Sequence, residues 1–239
     1  MSKYKPTYKP FGESTILMEW PSKIEETIIR DIVAFEKSVD KSRGIVDTVI
    51  TYNALTIRYD CEIDFEVEVA ELRDRYKVKK KREDQASKCW QIPVCYDLDF
   101  GIDLDEIASA KELTVDEVIQ FHSAPDYLIY FIGFQPGFLY LGGLNEKIHV
   151  PRKAIPRLRV AKGSVGIGGS QTGVYPNDSA GGWNILGRSP IDFFDISKPQ
   201  PCFASAGDRI KFRPIDKDSY HQIMEEEQDG NFMLKSQAI

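Results

Sequence analysis

The sequence has no run of about 18 uncharged apolar residues, so nothing in it reads as a transmembrane helix. Its first dozen residues, MSKYKPTYKPFG, lack an apolar core and a small-residue cleavage site; they read as a mobile arm, not a secretory signal. Histidine is scarce, with only His122, His149 and His221. The four cysteines, Cys61, Cys89, Cys95 and Cys202, show no CxxC pair and no zinc-like spacing with those histidines, so a structural metal site or a disulfide framework is not expected. Reduced thiols in a cytoplasmic protein are expected instead. The common catalytic signatures are missing too. There is no GxxxxGK[ST] loop, GIGGSQ fails GxGxxG at its last position, no serine sits in GxSxG, and HExxH does not occur. Basic residues are in deficit, 31 against 37 acidic, for a net charge of −6 and a pI near 5.3, which disfavours a nucleic-acid partner. The one cationic run, KVKKKR at residues 77–82, falls at the end of a predicted helix, where cations complement the negative dipole end.

What is present is ordinary globular material: 239 residues, 42% apolar and 28% charged, enough for two small domains. Residues 14–20 (STILMEW) read as a strand. Ser22 and Glu25 have capping-box spacing before Ile24, Ile28, Ile32 and Phe35, which repeat on one helical face. Two strands follow at 45–52 and 54–60, then a helix marked by Phe65, Val69, Leu72 and Tyr76. The order βαββα predicts an α+β, ferredoxin-like sandwich, βαββα(β), closed by a strand at residues 89–96, with Pro93 favouring an edge or crossover there. The expected boundaries are 1–87 for this domain, 88–216 for a mainly β barrel or sandwich, and 217–239 for a C-terminal helix with a poorly ordered tail. Within the second domain Thr114 and Glu117 repeat the capping-box spacing, and residues 127–134 (YLIYFIGF) form an apolar strand suited to burial on both faces.

Residues 133–190 hold twelve of the 17 glycines, which implies shaped loops and close backbone approaches. Between residues 149 and 163 stand five basic side chains, Arg152, Lys153, Arg157, Arg159 and Lys162, and no acidic one. An anion suits such a stretch, because the guanidinium fork matches carboxylate or phosphate; a solvated strand edge guarded by cations is the competing reading. Aromatic residues lie among the glycines, with Gln171, Thr172 and Arg188 near them in sequence, as in a small-ligand pocket, although barrel packing places aromatics beside glycine as well. His122 is a candidate acid or base, set against a packing role on an apolar helix face.

The segments HSAPDYLIYFIGFQPGFLYLGGL, PRKAIPRLRVAKGSVGIGGSQTGVYP, SAGGWNILGRSP and AGDRIKF together resemble the bacterial family of the B-type subunit of 5-oxoprolinase. That family also takes in a Kip-type inhibitor of a sensor histidine kinase and allophanate hydrolase subunit 1, and is related to a carboxyltransferase subdomain of urea carboxylase. The resemblance implies a cyclophilin-like C-terminal barrel. It implies a hydrolase subunit that opens 5-oxoproline to glutamate at the expense of ATP, with the C-type subunit and a further 5-oxoprolinase subunit as partners, the isolated chain being inactive. Kinase inhibition and an allophanate or urea-pathway carboxyltransferase role are its alternatives. Within it, Arg152, Arg157 and Arg188 are expected to attract a carboxylate or a phosphorylated intermediate, while Gln171, Thr172, Tyr175 and Trp183 shape the pocket.

Overall fold

The computed structural model describes residues 4–40, 43–78 and 87–239. The basic run at 79–82 lies outside the described residues. The chain divides into two compact units, 1–85 and 86–239.

In the first unit, β1 (Thr7–Pro10) and β2 (Thr15–Glu19) precede α1 (Glu26–Glu36), followed by β3 (Ile45–Ile50), β4 (Ala54–Tyr59) and α2 (Phe65–Val78). The antiparallel sheet runs β1-β2-β4-β3. This is the ferredoxin-like strand arrangement with one substitution: the place beside the first core strand, normally taken by a closing strand after α2, is filled by the N-terminal arm. The arm expected to be mobile is therefore a strand, paired from Thr7↔Glu19 to Pro10↔Ile16. Its position at the sheet edge explains why Pro10 is tolerated. Tyr8 also lies under the Arg73 guanidinium at 5.3 Å.

The Ser22–Glu25 capping box does not form. Helix α1 starts four residues later than Ser22, with Glu25 at the N-cap and no side-chain cap bond, and Ile24 is left exposed before it. The predicted face is otherwise buried, through Ile28, Ile29, Ile32 and Phe35. Under it, Asp31 accepts from Trp20 Nε1 at 2.8 Å and from the Tyr76 hydroxyl at 2.5 Å, tying β2, α1 and α2 together.

The second unit opens with β5 (Lys88–Cys95), then α3 (Leu104–Ala110), α4 (Val115–Ser123), β6 (Tyr127–Ile132) and β7 (Leu139–Gly142). A run of short strands follows: β8 (Arg157–Val160), β9 (Ser164–Gly168), β10 (Gln171–Val174), β11 (Ser179–Gly181) and β12 (Asn184–Arg188). Last come β13 (Arg209–Ile215), α5 (Lys217–Gln228) and β14 (Ser236–Ala238). The sheet order β12-β9-β10-β7-β6-β13-β5 returns on itself where Arg188 of β12 pairs with Cys95 of β5, closing a barrel of seven strands. Strands β8 and β11 form a separate ribbon.

The segment expected to close the first domain thus belongs to the barrel. β5 runs parallel to β13 from Cys89↔Arg209 to Cys95↔Ile215. On its other side β14 covers residues 88–90 and β12 touches only Cys95. Pro93, which has no N–H to donate, falls between those two pairings, so a proline can sit well inside this strand. The tail expected to be poorly ordered supplies β14, and its Phe232 and Leu234 pack against the barrel core.

Helix α4 begins as predicted, with both halves of the Thr114–Glu117 capping box made. Only four of the twelve glycines in 133–190, Gly137, Gly143, Gly163 and Gly169, have positive φ. Most of the others sit in or beside strands where a Cβ would strike a neighbour; at Gly181 it would meet the Tyr175 hydroxyl at 2.2 Å. Close packing, more than turning, accounts for the glycine density.

Candidate functional site

The residues expected to form one pocket are distributed over three environments. The first is a cavity of about 210 Å³ formed by residues from the β6–β7 turn, the segment before β8, the end of β10 and the β11–β12 turn. Its aromatic wall consists of Phe138, Tyr140, Tyr175 and Trp183. The Phe138 ring stands edge-on to both Tyr175 and Trp183, with centroids 5.5 Å apart in each pair. Such edge-to-face contacts hold rings in fixed orientations. Burial pushes the Tyr175 and Tyr140 hydroxyls above the usual tyrosine range.

Arg152 supplies the cation. Its guanidinium lies over Trp183 at 5.6 Å and donates to Gln171 Oε1 at 3.3 Å. It makes no ion pair among the described residues, so its fork is available to a guest carboxylate. Lys153, the other basic residue of the lining, is spent on Asp103 at 3.1 Å and Glu106 at 2.5 Å. Phe134 also lines the cavity; it is exposed, stands edge-on to Phe138, and adopts φ 61°, a left-handed conformation uncommon for an aromatic residue. Backbone strain of this kind persists where surrounding structure imposes it and is common at ligand clamps. Of the predicted residues, Arg152, Tyr175 and Trp183 line this cavity and Gln171 braces it.

Arg157 and Arg188 do not reach that lining. Arg157 donates to Asp103 Oδ1 at 2.6 Å and to the Trp183 carbonyl at 3.4 Å. Asp103 is 2% exposed, and its second oxygen accepts from the Ile185 backbone N–H at 2.6 Å. Burial by itself would raise the Asp103 pKa. The bonds from Ile185, Arg157 and Lys153 outweigh it and hold the carboxyl below the usual range. Arg157 thus fastens β8 to the entry of α3. Arg188 donates through Nε to the Lys162 carbonyl at 2.8 Å, at the end of β12.

His122 and Thr172 occupy the third environment, the barrel core, and both are fully buried. The Thr172 hydroxyl donates to the Gly166 carbonyl at 3.0 Å, so its oxygen accepts from His122 Nε2–H at 2.8 Å. That leaves His122 Nδ1 to accept from the Tyr96 hydroxyl at 2.7 Å. The ring also stacks on Phe212 at 4.7 Å. Burial pushes the imidazole pKa down to about 3. A neutral, buried ring with both nitrogens engaged fits the packing role and not acid–base chemistry. Gln171 and Thr172, expected to shape the pocket, belong to β10, and a buried threonine can sit there because β9 and α4 supply both its hydrogen-bond partners.

Sequence reasoning missed Asp103 and Phe134, and it counted Lys153 among the anion-attracting cations without the two carboxylates that engage it. The signal for Asp103 was present in the acidic stretch that includes Asp97, Asp99, Asp103, Asp105 and Glu106, a charge complement to the basic stretch at 152–162. No sequence signal marks Phe134 apart from its place before the Gln-Pro-Gly turn. Among the described residues no group of acidic, histidine and cysteine side chains could hold a metal ion, and no helix is long and apolar enough to cross a membrane.

A family model described as carboxyltransferase domain, subdomain C and D, matches residues 6–204. A protein of Haemophilus influenzae, named as the B-type subunit of 5-oxoprolinase, is 40% identical over 203 residues, 85% of this chain and 95% of the relative. The crystal structure of a protein named TTHA0988 matches 84% of this chain with a TM-score of 0.75 and 30% identity; the match spans only 40% of that longer chain. The urea carboxylase of Kluyveromyces lactis matches 99% of this chain with a TM-score of 0.79, over 24% of its own length, and at 20% identity that likeness is one of fold.

Proposed function

This chain belongs to the carboxyltransferase subdomain C and D family, and we propose that it is the B-type subunit of an ATP-dependent 5-oxoprolinase working in the cytoplasm. The observation that carries this reading is the aromatic cavity lined by one guanidinium, Arg152, that no carboxylate matches among the described residues. The ligand class that suits it is a small, flat, singly charged carboxylate. 5-Oxoproline is such a molecule: a five-membered lactam that can lie against Trp183 and Phe138 while its carboxylate meets Arg152. The name and 40% identity of the Haemophilus influenzae relative support the same substrate. They favour neither kinase inhibition nor an allophanate role.

The reaction adds one water across the lactam carbonyl and breaks the C–N bond to give glutamate, while a second water is consumed as ATP is cleaved to ADP and phosphate. In this scheme the chain binds and orients. Arg152 sets the carboxylate, braced by Gln171, and the aromatic wall excludes water from one face of the ring. The nucleotide and the groups that activate the lactam belong to the C-type subunit and the further subunit, which complete the site from outside this chain.

The test is reconstitution. Mixed with its partner subunits, the chain should support ATP hydrolysis that depends on 5-oxoproline, and none alone. Arg152→Ala should lower kcat/KM about 10- to 100-fold, the worth of a charge-assisted hydrogen bond. Turnover by the isolated chain, or an unchanged kcat/KM in Arg152→Ala, would overturn the assignment.

A further inference from the structure

A second cavity, of about 190 Å³, shares no lining residue with the aromatic one. Arg157 and Arg159 of β8, Ser164 of β9 and Arg188 of β12 line it, with Phe100 and Ile102 among its apolar residues. One carboxylate, Asp99, belongs to the lining, and Lys217 engages it at 2.5 Å. Three guanidiniums therefore share a small cavity whose own carboxylate is already neutralised.

Their states differ. Arg157 is matched by Asp103, and Arg159 by Asp178 through Nε at 3.0 Å and Nη2 at 2.7 Å. Arg188 is held through Nε, on the Lys162 carbonyl, and neither of its terminal nitrogens is paired with a carboxylate among the described residues. A tether at Nε fixes the guanidinium plane and leaves the Nη pair for a bidentate acceptor. Beside it, Ser164 is 6% exposed and carries a hydroxyl able to donate to the same acceptor. A cation held in a partly desolvated cavity without a paired carboxylate is unfavourable, and a guest anion relieves it.

We propose that this second cavity is an oxyanion site, independent of whatever the aromatic cavity binds. It takes the carboxylate or phosphate group of a small molecule on Arg188 and Ser164, with the rest of the ligand against Phe100 and Ile102. The clustered cations thus serve two cavities: Arg152 the first, Arg157 and Arg159 the second.

The experiment is an NMR titration of the 15N-labelled full chain at constant ionic strength, with inorganic phosphate and L-glutamate added separately. Saturable shifts of the Arg188 side-chain Nε–H and the Ser164 backbone N–H are expected with at least one probe. A response to phosphate alone assigns a phosphate ligand, and a response to glutamate alone a carboxylate; either supports the site. Read at Ser164, binding should weaken by about tenfold or more in Arg188→Met, the loss of a charge-assisted bidentate contact, and stay within about twofold in Arg152→Met. If Arg188→Met fails to fold, Arg188→Gln takes its place in the same measurement. No saturable shift up to about 20 mM of either probe, far above an ordinary metabolite-site Kd, overturns the proposal. So does a response lost in Arg152→Met but kept in Arg188→Met.

Discussion

The two cavities take their arginines from the same stretch of chain, residues 152–188, yet differ in how their charge is arranged. In the aromatic cavity one arginine stands over an indole, hydrogen-bonded to Gln171 but matched by no carboxylate among the described residues, while the neighbouring lysine is engaged in an ion pair. In the second, two of three arginines are neutralised by carboxylates and the third is tethered through a backbone carbonyl. The difference lies in the partners. Asp103 and Asp178 decide which cations become structure and which remain able to meet a ligand. A basic stretch is therefore not one binding patch but a set of side chains sorted by the acids that folding brings to them.

Removing the acid that does most of the sorting should have the largest effect. In Asp103→Ala, Arg157 and Lys153 lose their shared carboxylate and Ile185 N–H its acceptor. Chemical denaturation of the full chain should show a loss of about 3 kcal/mol, the low end for breaking a buried ion pair, because Arg157 and Lys153 can partly rehydrate. A loss below about 1 kcal/mol would mean that the bonds to Asp103 contribute little to the fold. The Asp103 contribution is present above the usual carboxylate pKa and is lost as pH falls through its lowered folded value.

Gly181→Ala places its added methyl in the aromatic cavity. The added methyl meets the Tyr175 hydroxyl, and overpacking of this kind costs about 1–3 kcal/mol or displaces the ring. We expect weaker binding of 5-oxoproline, read as a raised KM in the reconstituted complex, with anion binding in the second cavity unchanged in the NMR titration. A parallel change in both would show that the cavities are not separate.

The smallest effect per unit of change is the pH dependence, and it separates both cavities from the core. Arginine side chains keep their charge throughout the accessible pH range, so acid sensitivity near neutrality must arise elsewhere. His122 has a folded pKa pushed down to about 3 from its ordinary 6.5. The unfolded chain binds that proton first, so stability is full above about pH 6.5 and falls as pH drops below it, by at most about 1.4 kcal/mol per pH unit, until the folded pKa is reached. Unfolding free energies measured between about pH 7.5 and 4.5 should show that slope, and His122→Phe should flatten it. A flat profile in the unsubstituted chain would mean that His122 titrates in the folded state.

Much of the fold was legible because it is written locally. The Thr114–Glu117 capping box, the faces of α1 and α2, and the apolar β6 each depend on residues within a turn or two of one another. Strand membership was not. Residues 88–95 are mostly apolar and bury like any core strand, and nothing in them says that their neighbours are β13, β14 and β12 instead of β2. The arm was misread for the matching reason: a four-residue edge strand gains its order from the ladder of β2, not from its own sequence. The same holds for β10, where Thr172 reads as a pocket residue until His122 and Gly166 are seen beside it.

The sequence by itself determined the two-part composition, the α+β and barrel classes, the cationic stretch and the family to which the chain belongs, since each is a matter of residue type and order. Tertiary structure alone decided which cations are free. An arginine carries the same charge wherever it lies; only a carboxylate brought within hydrogen-bond distance from 54 positions away, as Asp103 is to Arg157, turns it from a ligand group into a brace.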